Sequence, residues 1–578
     1  MRILLVALNA KYVHTNLALR YLRARIRPQF SDVALKEFTI NEPLRKIAGE
    51  IFENKADVVG FSCYIWNIGR IAELVGALRL VCPRTRFVLG GPEVSYDPES
   101  WLKQIAADGI VLGEGEETFA ELLSVWQRGE EPERVSGLAW RQGDRIRVNP
   151  ARPPTSDLSS LPLPYEEDED LSGRLAYVET ARGCPFQCQY CLSSAGQGVR
   201  YLEAEHFRRT FRRLLTLGVQ TVKLVDRTFN ANQAHAFRIL DIAREEAGRF
   251  PEKSIRTHCE MAGELLDEEW YRYLAAYPQG ALQLEIGVQS TNPPTLQAIQ
   301  RPQRFDRWRG FVRKLRLHTE IPLHLDLIAG LPLEGWAECK TSFNDTYALL
   351  PQRLQLGFLK LLKGSGLYHD RERWGLIHEP QPPYTVMQTP NLSYQELIQL
   401  ERIEDLVEKY YNTGKFFYSL REAVRLAPTP FDFYHEFALF WQEQGWFKQA
   451  WRGKELFSNL WRYCSRSPLS DAAAIRLREA LRFDYYRWER PGSIPEFMQT
   501  ETVRERKGAA AQAQWLDLVP EGRTLDRRRW SRVTEAAGFA YDVSQENGEL
   551  REVWFLFFYG EQGVRVYCKP CDELEVYN

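Results

Sequence analysis

Three cysteines stand close together in the chain: Cys184, Cys188 and Cys191 occupy the loop ARGCPFQCQYC, directly after the strand-like run LAYVET. Proteins hold iron–sulfur clusters with cysteine thiolates, and a cube of four irons with only three protein ligands leaves one iron open to a small molecule. The CxxxCxxC spacing therefore predicts a [4Fe–4S] cluster whose open iron is a reaction site. Zinc is the competing metal, but structural zinc normally takes four ligands, and the fourth would have to come from a distant Cys or His.

The cysteine loop belongs to a series of alternating strands and helices. Strand-like runs recur at LAYVETA, TVKLVD, IRTHCEM, LQLEIGV and LHLDLIAGLP, and the segments 203–217, 231–248 and 264–276 have helical patterns. This alternation is typical of a full or partial (β/α) barrel, whose functional residues gather at the carboxyl ends of the strands.

The first 148 residues form a second α/β series. The runs RILLVAL, DVVGFS, RFVLGG and GIVLGEGE alternate with helical stretches, which predicts a doubly wound parallel sheet. Ligands of such sheets bind beyond the carboxyl ends of the strands. The loops expected there are Asn9 to Lys11, Ser62 to Tyr64, Gly90 to Glu93 and Gly113 to Glu116.

The chain divides into three domains on these patterns. We expect the first over 1–148, a linker rich in Pro, Ser and acidic residues over 149–172, and the barrel-like domain over 173–375. The remaining region, 376–578, is expected to be mostly helical, with helices near 393–411, 432–465 and 469–490, and to close with a hairpin turning near Gly560 to Gly563.

The composition of the chain argues against several classes of function. The chain has 578 residues, 44% of them hydrophobic, without an apolar run long enough to span a bilayer. Its start, MRILLVALNAKYVH, has the alternation of a strand rather than a signal peptide, so we expect a cytoplasmic protein without a membrane partner. A net charge of −2 argues against a nucleic-acid partner, and we interpret the basic run Arg527 to Arg532 as a solvated helix face.

The cysteine loop resembles the signature of the radical S-adenosylmethionine (radical SAM) superfamily, in which an aromatic residue, here Tyr190, usually precedes the third cysteine. The resemblance implies that the amine and carboxylate of S-adenosylmethionine chelate the open iron. An electron from a donor such as flavodoxin or ferredoxin then cleaves the cofactor to a 5′-deoxyadenosyl radical.

Later segments also match this superfamily. They are VDRTFNAN with Asp226 and Asn230, HCEM with Glu260, LEIGVQS with Glu285, Gln289 and Ser290, and LDLIAGLP with Asp326. Carboxylates and amides at strand ends suit the ribose hydroxyls and the amino group of S-adenosylmethionine. The resemblance therefore implies cofactor contacts for Tyr190, Glu260, Glu285, Gln289 and Ser290.

The first domain resembles the cobalamin-binding domain of one radical SAM subfamily, through GFSCYIWNI, VLGGPEVS and GIVLGEGEETFAELL. The residues expected at the corrin and its nucleotide tail are Asn9, Ser62, Cys63, Tyr64, Gly90, Gly91, Pro92, Glu93, Gly113, Glu114, Gly115 and Glu116. A doubly wound sheet that binds a simple nucleotide is the competing interpretation.

Three details qualify this expectation. The D-x-H-x-x-G motif that supplies a histidine to cobalt is absent, and we expect His14 to be packed or solvated rather than a metal ligand. For Cys63 we favour a buried small hydrophobe over a corrin contact. Cys568 and Cys571 form CKPC, but a terminal CxxC without a second pair is weak evidence of metal or redox chemistry.

The likeness implies a cobalamin-dependent radical enzyme that methylates an unactivated carbon of a small molecule or peptide. Radical cyclisation, rearrangement or oxidation without methyl transfer would use the same cofactors and stays open. The near-neutral charge disfavours an RNA-modifying radical enzyme, and the intact three-cysteine signature disfavours a cobalamin-binding sensor.

Overall fold

The computed structural model describes residues 1–578 except 197, 252–254, 302, 489, 491, 500–514, 516–518, 520–524, 547, 561–562, 570–575 and 578. The chain forms two compact units: Met1–Pro351 with Leu356–Leu397, and Gln352–Gln355 with Ile398–Asn578. Among the described residues, no helix has both the length and the apolar character needed to cross a membrane.

The first unit begins with a seven-stranded sheet. Its strands are β1 (Ile3–Asn9), β2 (Val33–Thr39), β3 (Val58–Ser62), β4 (Arg86–Gly90), β5 (Gly109–Val111), β6 (Leu138–Gln142) and β7 (Arg145–Val148). The order is β2-β1-β3-β4-β5-β6-β7, with the first five strands parallel and the last two antiparallel. The helices are α1 (Leu17–Ile26), α2 (Leu44–Asn54), α3 (Ile68–Val81), α4 (Pro92–Ser95), α5 (Pro98–Gln104) and α6 (Glu116–Gln127).

The predicted doubly wound parallel sheet is confirmed. Strand β1 is buried along its whole length because helices cover both faces of the sheet, as its continuous apolar run requires. The sequence did not predict β2, α2 or the β6–β7 hairpin. Strand β2 lies at the sheet edge with only Phe38 fully buried, so it lacks the apolar run that marks a central strand.

A second, six-stranded sheet follows and forms the partial barrel. Its strands are β8 (Leu175–Val178), β11 (Thr221–Leu224), β12 (Arg256–Met261), β13 (Leu282–Gln289), β14 (Leu323–Ala329) and β15 (Arg353–Phe358), in the order β15-β14-β13-β12-β11-β8. Its helices are α7 (Ala204–Thr216), α8 (Gln233–Ala247), α9 (Glu268–Ala275), α10 (Pro293–Ala298), α11 (Phe305–His318), α12 (Trp336–Tyr347) and α13 (Gly366–His369).

Two small ribbons accompany this sheet. The antiparallel pair β9 (Ala181–Gly183) and β10 (Val199–Tyr201) brackets the cysteine loop. The pair β16 (Ile377–His378) and β17 (Val386–Gln388) follows the barrel strands.

The second unit is mostly helical, as expected. Helix α14 (Tyr394–Leu406) leads into it and continues as a π turn, Val407–Tyr411. The other helices are α15 (Phe417–Val424), α16 (Pro430–Glu443), α17 (Gly453–Cys464), α18 (Asp471–Trp488) and α19 (Arg527–Val533). The basic run forms α19, and all of its arginines are exposed.

The terminal hairpin is part of a larger sheet. Strands β19 (Val553–Gly560) and β20 (Gly563–Lys569) pair as the sequence predicts, and β18 (Thr534–Phe539) and β21 (Val576–Tyr577) extend them to four antiparallel strands. Aromatic side chains dominate the helical core, where Trp441 and Tyr463 both pack against Phe437.

Segment 149–172, which the sequence predicts to be a linker, is part of the first unit and packs against its first sheet. Glu169 forms ion pairs with Arg20 (2.9 Å) and Arg23, and the Tyr165 hydroxyl donates a 2.7 Å hydrogen bond to the Tyr177 carbonyl. Arg20 also pairs with Glu37 at 3.0 Å, and its side chain is only 3% exposed. Because a buried charge is costly without its partners, this network ties the segment to the first sheet.

The Arg20→Met variant should lose about 1–3 kcal/mol of stability, since two largely buried carboxylates would each keep only one of their two arginine partners. We expect a lower midpoint of thermal unfolding, measured by differential scanning fluorimetry. Arg2→Met removes an exposed pair with Asp32 and serves as the control. Equal midpoints for the two variants would contradict the importance of the buried network.

Candidate functional site

The start of the cysteine loop is fixed by Asp226, which follows β11. Its buried carboxylate accepts hydrogen bonds from the backbone N–H groups of Thr180 (2.7 Å) and Ala181 (2.6 Å) and from the Thr180 hydroxyl (2.6 Å). Burial raises the pKa of Asp226 to about 7, although the three hydrogen bonds oppose the shift. The loop therefore leaves the barrel at one defined position.

The three cysteines line one cavity of about 170 Å³ at the carboxyl ends of the barrel strands. The Sγ of Cys184 lies 3.4 Å from the Thr228 hydroxyl. Arg301 approaches from the other side and donates to Cys188 Sγ (3.7 Å) and to the Tyr190 hydroxyl (3.0 Å). Burial raises the pKa of the Cys188 thiol, and the Arg301 cation opposes that rise. All three thiols lie at this cavity, as a shared cluster requires.

Sequence reasoning missed Arg301. Nothing in its local sequence distinguishes it from an exposed arginine, and it reaches the cavity because its Nη2 donates to the Gly287 carbonyl at 2.7 Å. A Cβ at position 287 would lie 2.2 Å from the Gln289 amide nitrogen and 3.2 Å from Arg301 Nη2, so any larger residue would have to displace these two side chains.

Four of the five residues expected at S-adenosylmethionine line this cavity: Tyr190, Glu260, Glu285 and Gln289. Ser290 does not. A register shift between Gly287 and Gln289, with Gln289 at a φ of 64°, turns the chain so that Ser290 is fully buried. Its hydroxyl donates to Glu334 at 2.5 Å, so Ser290 holds the neighbouring loop rather than the cavity wall.

A second cavity, of about 590 Å³, lies between the carboxyl ends of the two sheets of the first unit. Loops after β1, β3 and β5 contribute Asn9, Tyr64 and the segment Gly113 to Glu116. The barrel contributes residues including Arg227 and Glu260, which line the 170 Å³ cavity as well. The two cavities therefore adjoin.

A third, mostly apolar cavity of about 100 Å³ extends into the first domain. Of the residues expected at cobalamin, it is lined by Ser62, Tyr64, Gly90, Gly91, Gly113, Gly115 and Glu116. Gly91 has a φ of 119°, and a Cβ there would lie 2.5 Å from the Cys63 carbonyl oxygen. Only glycine allows this close turn.

Three of the expected cobalamin residues lie outside these cavities. Cys63 is fully buried, as the small-hydrophobe interpretation predicts, and burial raises its pKa to about 12. Pro92 begins α4, and the helix turns Glu93 inward, where its carboxylate accepts a 2.6 Å hydrogen bond from Tyr384. Cys63, Pro92 and Glu93 therefore contribute to the fold of the domain and do not line these cavities.

The acidic residues of the β5 loop are paired with arginines. Arg182 pairs with Glu116 (2.6 Å), Glu114 (3.3 Å) and Glu179 (2.7 Å), which joins the β5 loop to the strand preceding the cysteines.

His14 is packed as expected: its Nδ1 lies 2.8 Å from the Tyr177 hydroxyl, and burial lowers its pKa.

Of the two cysteines in CKPC, the structure describes only the first. Cys568 is buried in β20, and Cys571 lies outside the described residues.

The barrel and its cysteine loop define a site of the radical SAM type. Comparison with known proteins agrees: residues 178–345 match the radical SAM superfamily, residues 3–123 match the B12 binding domain, and residues 372–557 match a family described as a protein of unknown function (DUF4080). The chain thus combines a segment that matches a B12 binding domain with one that matches the radical SAM superfamily, followed by a further C-terminal region, and its cofactors are a [4Fe–4S] cluster, S-adenosylmethionine and cobalamin.

Individual relatives cover parts of the chain. An uncharacterized methyltransferase of Pyrococcus horikoshii is 28% identical over 39% of this chain and 51% of its own length. The cobalamin-dependent radical SAM methyltransferase TokK of Streptomyces tokunonensis is 27% identical over 50% of this chain and 44% of its own. The chain thus spans about half the length of these curated relatives.

A solved structure shares the fold. The cobalamin-dependent S-adenosylmethionine radical enzyme OxsB, with aqua-cobalamin and S-adenosylmethionine bound, superimposes with a TM-score of 0.57 at 13% identity. The match covers 84% of this chain and 83% of that one.

Gly91→Ala should weaken cobalamin retention, because the backbone conformation and the contact with Cys63 together cost about 1–3 kcal/mol. We expect less cobalamin per chain after gel filtration, measured by its visible absorption. Gly76→Ala, in α3 with open space around it, should retain the wild-type amount. Equal retention in both variants would contradict a role for the turn.

Arg301→Met should lower the reduction potential of the cluster, because a buried cation next to a cluster thiolate favours the more negative, reduced state. Redox titration followed by electron paramagnetic resonance (EPR) measures the midpoint. Arg309→Met, on the outer helix α11, is the control. An unchanged or higher midpoint in Arg301→Met would contradict this assignment.

Proposed function

We propose that the protein is a cobalamin-dependent radical SAM methyltransferase that acts on an unactivated carbon of a small molecule or peptide. The observation that carries this proposal is the pair of adjoining cavities: the three cysteines line one, the strand ends of the B12-binding domain line the other, and Arg227 and Glu260 belong to both walls. A substrate at this junction would be reachable from both cofactor sites.

Within the first cavity, Cys184, Cys188 and Cys191 would hold the cluster. Glu260 and Gln289 offer the carboxylate and amide that suit the amino group and ribose of S-adenosylmethionine. The bound cluster and S-adenosylmethionine supply reductive cleavage to a carbon radical. Asp226 and Arg301 act as positioning residues, since they fix the loop and its second cysteine.

Within the first domain, the residues that line the 590 Å³ cavity and the glycine-lined 100 Å³ cavity would hold cobalamin. Bound cobalamin would act as the carrier of the methyl group. Its site contains Tyr64 and Trp66, which stack with ring centroids 4.3 Å apart and present an aromatic surface to the cavity. The P. horikoshii relative and TokK are both described as methyltransferases, which supports methyl transfer as the reaction.

We also propose the domain division 1–148, 173–375 and 376–578, with 149–172 as a packed connecting segment. A cytoplasmic location and an electron donor such as flavodoxin or ferredoxin suit an enzyme whose cluster must be reduced. The near-neutral charge argues against a nucleic-acid substrate.

The central test is anaerobic reconstitution with iron, sulfide and hydroxocobalamin, followed by reduction with S-adenosylmethionine present. We expect about four irons per chain, bound cobalamin, and formation of 5′-deoxyadenosine. The triple variant Cys184→Ala, Cys188→Ala, Cys191→Ala should lose the iron and the 5′-deoxyadenosine but keep cobalamin. Cys82→Ala, at a cysteine outside the cavities, should behave as wild type.

Assays with candidate substrates separate methyl transfer from radical chemistry without it. Formation of S-adenosylhomocysteine together with methylated product supports methyl transfer. A substrate converted with 5′-deoxyadenosine but without S-adenosylhomocysteine would show cobalamin-assisted rearrangement or oxidation instead. Equal iron in the triple variant would overturn the cluster assignment.

A further inference from the structure

Two histidines and a carboxylate meet inside the barrel sheet, apart from the cysteines. His258 lies on β12, Glu285 on β13 and His324 on β14, and Glu285 is directly opposite His324 in the strand register. One ligand atom from each lies within 4.8 Å of the others. The three side chains thus converge from neighbouring strands, a rigid arrangement for binding an ion.

The separations fit a coordination polyhedron. His258 Nε2 lies 3.0 Å from Glu285 Oε2, and His324 Nδ1 lies 3.6 Å from the same oxygen. Ligand atoms about 2.0–2.1 Å from a tetrahedral zinc ion are separated from one another by about 3.3 Å. All three ligand atoms lie within 4.8 Å of one another, so an inward shift of the histidine side chains would bring them around one ion.

Asp326 supplies the outer contact that metal-binding histidines usually have. Its Oδ1 lies 2.9 Å from His324 Nε2, the ring nitrogen that points away from Glu285. Such a carboxylate fixes the orientation of a ligating imidazole.

Hydrogen bonds within the protein do not account for this geometry. His258 Nε2 lies 3.0 Å from Glu285, and His324 Nε2 lies 2.9 Å from Asp326 Oδ1, but these buried contacts have the distance and not the geometry of hydrogen bonds. Buried polar atoms are normally satisfied, and a bound ion is one common explanation for exceptions.

Lys223 is the competing cation. Its ammonium lies 3.0 Å from Glu285 Oε2 and also 3.0 Å from Glu260 Oε1. If an ion occupied Glu285, Lys223 would keep its pair with Glu260, so the lysine would not be left without a partner.

We propose that His258, Glu285 and His324 form a binding site for a divalent transition-metal ion of the zinc class, with Asp326 orienting His324. Three protein ligands leave a coordination position open. Glu285 lines the 170 Å³ cavity, so a water molecule or a substrate oxygen or nitrogen can complete the site from that side. In this assignment Glu285 is a metal ligand rather than the S-adenosylmethionine contact that its sequence context predicts, and methyl transfer does not itself require the ion.

The test uses the holoenzyme, carrying its cluster and cobalamin, incubated with Zn²⁺ and then passed through a desalting column. Metal analysis should give about one zinc per chain besides about four irons. X-ray absorption at the zinc edge should show only nitrogen and oxygen ligands, with imidazole scattering, at about 2.0–2.1 Å.

Variants identify the ligands. His258→Gln and His324→Gln should weaken zinc binding by at least about 10- to 100-fold, the loss that changes of outer contacts alone produce. Their iron content should stay at the wild-type level, which separates this result from a failure of the cluster proposal. His369→Ala, an exposed histidine outside the barrel interior, should keep its zinc.

Three results would overturn the site: no zinc retained by the wild type, sulfur among the zinc ligands, or undiminished zinc in both histidine variants. If a variant loses its iron as well, the absorption spectrum of the wild-type holoenzyme still decides between histidine and cysteine ligation.

Discussion

The buried carboxylate of Asp226 anchors the cysteine loop to the barrel, and the proposed chemistry depends on that contact. Three short hydrogen bonds to Thr180 and Ala181 fix the backbone shortly before Cys184 is reached. Arg301 then holds Cys188 from the opposite wall. A cluster with three protein ligands needs all its thiolates at one place, and here two elements far apart in sequence set that place.

Paired charges join the two sheets of the first unit. Arg182 lies between the carboxylates of the β5 loop and Glu179, while Glu37 of β2 binds both Arg20 and Arg174. Buried ions are costly unless they are paired, so these contacts favour one relative placement of the strand ends. The cavities at those ends consequently share walls, and a cobalamin-dependent reaction at a radical site needs that proximity.

Local patterns predicted the cluster and both sheets because those features depend on spacing and periodicity. The three cysteines, the strand ends with Glu260 and Gln289, and the glycine loops were all readable in this way. The directions of the side chains could not be predicted from such patterns. The backbone turn at Gln289 buries Ser290, and α4 turns Glu93 toward Tyr384. Arg301 and the His258–Glu285–His324 group depend on strand register and distant contacts, which one sequence does not contain.

The most direct test of this account is EPR of the protein carrying both cob(II)alamin and the reduced [4Fe–4S] cluster. Because Arg227 and Glu260 line both cavities, the account predicts that the two spins interact, so that the cob(II)alamin signal broadens and relaxes faster when the cluster is reduced. The Cys184, Cys188, Cys191 triple variant should show the isolated cob(II)alamin signal. A wild-type signal identical to that of the triple variant would contradict the adjoining cofactor sites.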